Sequence, residues 1–128
     1  MRVAIVGSRE YRDLKSVREF VRSLPPQTVI VSGGAAGVDA EAERAAAEFG
    51  FICIVVKPAW RRGRYAGFER NQVIVDLADE VTAFWDGVSR GTQDTMKRAH
   101  AAGKPVHFMR YRYDAPFEPE EIVTEAWQ

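Results

Sequence analysis

The stretch TVIVSGGAAGVDAEAERAAAEFGFICIVV, residues 28–56, holds two apolar runs separated by a glycine-rich turn and an alanine-rich segment. TVIVS at 28–32 is short and apolar enough for a buried strand, and FICIVV at 51–56 reads the same way. Between them the spacing predicts a helix from about residue 38 to 49, with Val38, Ala42, Ala45, Ala46 and Phe49 on its inward face. Gly50 supplies the helix stop. A strand, a helix and a second strand, both strands nearly free of polar alternation, make a unit of a parallel sheet covered on both faces.

The pattern repeats on either side. RVAIV at 2–6 forms a strand bounded by Gly7-Ser8, and Asp13 caps a helix carrying Leu14, Val17, Phe20, Val21 and Leu24 at helical spacing before Pro25-Pro26. Downstream, Lys57 to Gly67 reads as a loop, followed by a helix through Val73, Ile74 and Leu77 with Arg70-Asn71 in its first turn. VTAFW at 81–85 is a fourth strand, DGVSRGT a loop, 92–102 a helix ending at Gly103, and PVHFMR at 105–110 a fifth strand. The expected architecture is a three-layer, doubly wound, Rossmann-like α/β fold with a parallel sheet of about five strands, in the order 3-2-1-4-5. Residues 1–110 then form one Rossmann-like domain, and 111–128 a C-terminal tail with an aromatic cluster and a short acidic helix.

Composition narrows the function. The chain has 128 residues, enough for one core, and its 18 basic and 18 acidic residues cancel. No global charge therefore favours nucleic acid or membrane, and no apolar run reaches the length of a membrane span. Without a signal-peptide pattern or paired cysteines, the expected location is the cytoplasm. The single cysteine, Cys53, sits in an apolar run and reads as a buried, inert thiol. His100 and His107 have no partner at ligand spacing, so neither a metal nor another cofactor is expected.

In open parallel sheets, ligands bind beyond the carboxyl ends of the strands, near the point where strand order reverses. GSR follows the first strand, GGAAG the second and DGVSRGT the fourth, so the expected order brings all three loops to one crevice. Singly, each could be no more than a tight turn. Neither G-x-G-x-x-G nor a Walker loop is present. What is present is a set of helix amino termini preceded by small residues, and such N–H groups suit phosphate.

The candidate nucleotide-binding residues after the first strand are Gly7, Ser8 and Arg9, and after the second Gly33, Gly34, Ala35, Gly37 and Asp39. After the fourth they are Asp86, Gly87, Ser89, Arg90, Gly91 and Thr92. Asp86, an acceptor only, suits a ribose hydroxyl better than a phosphate. The segment KPAWRRGRYAGFERNQ gathers Lys57, Arg61, Arg62, Arg64 and Arg70. Within it Arg64, Gly67, Arg70 and Asn71 are candidates, because basic residues at a helix start oppose the macrodipole and a bound anion would account for them. Trp60, Tyr65, Phe68 and Trp85 are candidate stacking rings, although packing is the commoner use of such residues. Glu41 and Glu43 fit an exposed helix face near its positive end.

Together, IVGSREY, VSGGAAGVDAEAERAAAEFG, PAW…GRYAGFERN and ADEVTAFWDGVSRGTQDTMKRAHAAGKPV resemble the YspA/YpsA-related branch of the SLOG superfamily. That superfamily takes its name from the DNA-processing protein Smf/DprA and the "lonely guy" enzymes. The resemblance implies a Rossmann-like domain, a nucleotide-type small-molecule partner and a homo-oligomer, dimer or higher. The loop SGGAAGVDAEAERAA is similar to a segment of the single-stranded-DNA-binding DprA proteins. The lonely-guy phosphoribohydrolases have an arginine matched by Arg70 and a G-T matched by Gly91-Thr92. Where they carry a glutamate this chain has Thr95, and the nucleoside deoxyribosyltransferase nucleophile would fall near the same place.

A threonine cannot stabilise or attack a cationic sugar as a carboxylate does. Asp94 is one residue away, about 100° around the helix. The expectation is therefore a sensor or ligand-binding protein for a nucleoside phosphate, ADP-ribose or NAD-like molecule. Alternatives are an N-glycosidase working through Asp39 or Asp86, and a single-stranded-DNA-binding protein. The last suffers from zero net charge and a basic cluster confined to one loop.

Overall fold

The computed structural model describes residues 1–109 and the backbone of 119–121. In chain order the elements are β1 (Arg2–Gly7), α1 (Leu14–Ser23), β2 (Val29–Ser32), α2 (Val38–Phe49), β3 (Ile52–Val55) and α3 (Ala66–Leu77). They continue with β4 (Glu80–Phe84), α4 (Arg90–Ala101), β5 (Val106–Met109) and β6 (Pro119–Glu121). The sheet order is β3-β2-β1-β4-β5-β6. The first five strands are parallel in the order 3-2-1-4-5, and β6 adds an antiparallel edge to β5.

Alternation along each strand divides the core between two faces. Val3 and Ile5 pack with Val17, Val21, Val38 and Ala42 of α1 and α2. Ala4 and Val6 pack with Ile74, Val75, Met96 and Ala99 of α3 and α4. Helices thus cover both faces, and the chain reverses its winding between β1 and β4. Phe84, fully buried, meets the rings of Tyr11 and Phe20 edge-on and closes the α1–α2 side.

Asp13 caps α1 as its position implies: one carboxylate oxygen accepts from the Ser16 N–H at 3.2 Å and the other from the Ser16 hydroxyl. Asp13→Ala is expected to lower stability by about 1 kcal/mol, checked by urea denaturation, with an unchanged transition showing that the cap contributes nothing. Gly50 ends α2 at φ 82°, the left-handed conformation that glycine tolerates best.

Some expectations shift. β3 is an outer strand, so Ile52 stands 70% exposed. Cys53 is only half-buried, and burial, aided by Glu43 and Asp39, pushes its thiol up to about 11, which leaves it unreactive as expected. The loop after β3 contains a 3-10 turn at Trp60–Arg62. Because α3 begins at Ala66, Arg70 lies in its second turn. The helix-end argument for a bound anion therefore does not apply to Arg70. Within the expected tail, Pro119–Glu121 form a short strand. The rest of the expected tail, with the aromatic cluster, lies outside the described residues.

Candidate functional site

The loops after β1, β2 and β4 open onto one crevice of about 530 Å³ at the carboxyl edge of the sheet. Two hydrogen bonds join its central walls. The Ser8 N–H donates to the Phe84 carbonyl at 3.1 Å, and the Asp86 N–H donates to Ser8 Oγ at 3.1 Å. Gly7 allows this apposition, since a Cβ there would lie 2.6 Å from both the Phe84 carbonyl oxygen and Val38 Cβ.

Around this seam, Gly7, Arg9, Ala35 and Asp39 line the crevice from the α2 side. Asp86, Ser89, Gly91 and Thr92 line it at the start of α4, and Arg64, Gly67, Arg70 and Asn71 from the β3–α3 connection. The other expected residues support the lining from behind. Ser8 is buried, Gly33 and Gly34 shape the turn under Ala35, and Gly37 starts α2 against Arg9. Gly87 sits at φ 86° in the turn before α4, and Arg90 is exposed at that helix's first position without lining the crevice.

The α4 end is a finished amino terminus. Ser89 Oγ accepts from the Thr92 N–H at 3.4 Å and lies 3.1 Å from Thr92 Oγ1. Asp86 Oδ1 accepts from the Val88 and Ser89 N–H groups at 2.8 and 2.9 Å. Burial would raise the Asp86 pKa, but the Ser89 and Val88 N–H groups outweigh it and hold the carboxylate below its usual range. Asp86 therefore builds the loop, and that carboxylate oxygen is already used. Trp85 donates its indole N–H to the Ser89 carbonyl at 2.9 Å and packs against Phe108, so it braces the loop from behind.

Arg70 works across strands. Its guanidinium donates to the Gly33 carbonyl and, at 3.5 Å, to the Val56 carbonyl, while Nε donates to Asn71 Oδ1 at 3.0 Å. It thus ties the β2 turn to the end of β3. Asn71 in turn donates to the Gly91 carbonyl at 3.2 Å and to Asp94 at 3.0 Å, joining α3 to α4. Among the described residues no carboxylate stands within ion-pair distance of Arg9, Arg64 or Arg70, whereas Arg18, Arg44, Arg62 and Arg98 are each paired with an acid. Three guanidiniums thus face the crevice without a carboxylate partner among the described residues.

Asp39 is 5% exposed; its Oδ2 accepts from the Ala35 N–H at 3.2 Å, and its Oδ1 has no hydrogen-bond partner. Burial raises its pKa to about 6, against the opposing pull of the Ala35 N–H and Arg70. Glu43 is not on a free face as expected. It accepts from Ser32 Oγ at 2.8 Å, and that oxygen faces the Gly34 N–H at 3.5 Å, so it steadies the turn.

Thr95 reaches the crevice wall, but it is 2% exposed and donates to the Gly91 carbonyl at 3.2 Å. Asp94 faces the other way, paired with Arg98 at 2.7 Å. Val6, Glu10, Ile74 and Val88 also line the crevice, and nothing in the sequence singled them out. Val6 and Ile74 read as ordinary core positions, and only their place at the ends of β1 and α3 gives them a crevice face. Among the described residues no cluster of acids, histidines or cysteines could hold a metal ion.

Residues 1–63 match the model of the YspA, cpYpsA-related SLOG family. No curated protein sequence matches the chain. Among solved structures, DNA processing protein A (DprA) from Streptococcus pneumoniae is similar at 26% identity and a TM-score of 0.78, over 88% of this chain and 51% of that one. The chain therefore spans about half the length of the pneumococcal protein. DNA processing protein A from Helicobacter pylori, described for its single-stranded DNA binding mode, matches at 22% identity and a TM-score of 0.68, over 89% of this chain and 67% of that one. The protein TM1055 matches at 24% identity and 0.64, over 82% and 71%. No helix among the described residues is long and apolar enough to cross a membrane.

Proposed function

We propose, taking the chain's place in the SLOG superfamily as premise, that the crevice binds a nucleotide or nucleotide-derived small molecule through its phosphate. The observation that carries this reading is the gathering in one crevice of Arg9, Arg64 and Arg70, without carboxylate partners among the described residues, and the capped amino terminus of α4. Charge-assisted bonds from arginine and the N–H groups of a helix start are the two commonest means of holding phosphate. Exposed rings on the same rim suit the rest of such a ligand.

The reading favours binding over cleavage. Thr95 stands where a carboxylate would be needed, Asp94 turns away, and one Asp86 oxygen is committed to its own loop. The acid that could still serve a hydrolytic role is Asp39, so release of base from AMP that is abolished in Asp39→Asn would replace binding with N-glycosidic cleavage. Zero net charge weighs against an extended nucleic-acid track.

Calorimetric titration with AMP, ADP-ribose and NAD tests the proposal. Arg64→Ala is the informative variant, because Arg64 is exposed and its hydrogen-bond partner is the neighbouring Tyr65, whereas Arg70 also holds the Gly33 turn. The expected loss of affinity in Arg64→Ala is roughly tenfold or more. No heat with any of the three ligands, or full affinity in both Arg64→Ala and Arg9→Ala, would overturn it.

A further inference from the structure

Trp60 is 61% exposed and Phe68 39% exposed, and both line the crevice that holds the arginines. Leaving an indole that open to water forgoes a large burial gain. Its position is nonetheless fixed. The turn that carries Trp60 is closed by the Gly63 N–H donating to the Trp60 carbonyl at 3.0 Å, and is tied to α3 by Arg62–Glu69 at 3.0 Å. The outer edge of the six-membered ring rests over Gly67, where an added Cβ would lie 3.4 Å from Cη2. A bare backbone on α3 thus seats the ring at the mouth of the crevice.

We infer that Trp60, with Phe68 beside it, is the stacking surface for the planar heterocycle of the ligand, a purine or pyrimidine base. Its phosphate lies toward Arg9, Arg64 and the α4 start. This assignment rests on the nucleotide reading above and adds the base subsite to it. A ring face recognises flatness and polarisability more than hydrogen-bonding edges, so the subsite accepts AMP and GMP with similar affinity.

The experiment is calorimetric titration of the wild type, Trp60→Ala and Trp60→Phe with AMP and with ribose 5-phosphate, which lacks the base. Trp60→Ala is expected to weaken AMP roughly 10- to 100-fold, leave ribose 5-phosphate within about twofold, and be largely rescued by Trp60→Phe. Equal weakening of both ligands would show that Trp60 only supports the loop, and no weakening of either would remove it from the site; both results overturn the assignment. Wild-type protein binding AMP no more tightly than ribose 5-phosphate would overturn stacking while sparing the phosphate site. Binding of neither would overturn both readings. Since Trp60 contributes little to the core, thermal melts of the variants should stay close to that of the wild type.

Discussion

Asp39→Asn is expected to match the native chain's stability near pH 3.5 and to exceed it by about 3 kcal/mol at pH 7.5, the difference building between pH 3.8 and 6. The native carboxyl titrates at about 6 instead of 3.8, chiefly because burial disfavours its charge. Below 3.8 both folded and unfolded chains hold the proton, and the group is neutral in its effect. Between 3.8 and 6 the unfolded chain has released the proton and the folded chain has not, so stability falls as pH rises. Above 6 the loss is complete and constant. An asparagine does not titrate, so the variant lacks this loss. Its amide can still accept from the Ala35 N–H, the bond that Asp39 Oδ2 makes at 3.2 Å. Urea denaturation of both proteins across that range reads the difference, and the carboxylates they share cancel. Parallel curves would show that Asp39 ionises normally.

The cost of that acid points back to the crevice. Its Oδ1 has no partner, and the guanidinium of Arg70 lowers the charge penalty without standing at ion-pair distance. A stability cost kept beside arginines that lack carboxylate partners among the described residues supports the proposed ligand site.

The second large effect concerns Gly37→Ala, which is expected to lose about 3–4 kcal/mol and to abolish nucleotide binding. Gly37 has φ 77° and ψ −122°, a conformation open essentially to glycine alone. A methyl group there would also meet the Arg9 carbonyl oxygen at 2.5 Å and Arg9 Cα at 2.7 Å. Backbone strain and overlap add, because neither can relax without moving α2 away from the β1 loop. Gly91→Ala is the matched control. Nothing lies within 4 Å of a Cβ at Gly91, so its stability should change by less than about 0.5 kcal/mol. Similar losses in the two variants in urea would show that close apposition of the loops is not what holds the crevice walls together.

Much of the fold was legible because a strand buried on both faces must be apolar throughout, and a helix covering it must repeat near 3.6 residues. The runs at 2–6, 28–32 and 81–85 and the caps at Asp13 and Gly50 satisfy those constraints locally, and the outer run at 51–56 and the run at 105–110, with its His107, follow them less closely. The parallel order 3-2-1-4-5 then follows from alternation and the preference for a reversal beside the first strand. The gathering of the three loops follows from that order in turn. The chemical types of the site, small residues before helices and arginines after β1 and β3, were likewise written in the chain.

What each side chain does there is set by neighbours distant in sequence. Arg70 is 37 residues from the Gly33 carbonyl it holds, and Asn71 is 23 residues from Asp94. No local pattern says that Asp39 is left with an unpaired oxygen, that Asp86 spends its charge on its own loop, or that Glu43 braces the turn. Nor does the sequence separate Trp85, packed behind the loop, from Trp60, open on the rim. Periodicity determines which face of an element is buried, because burial along one element is a local matter. Hydrogen-bond partners and desolvation depend on which elements meet, and only the packed tertiary structure decides that.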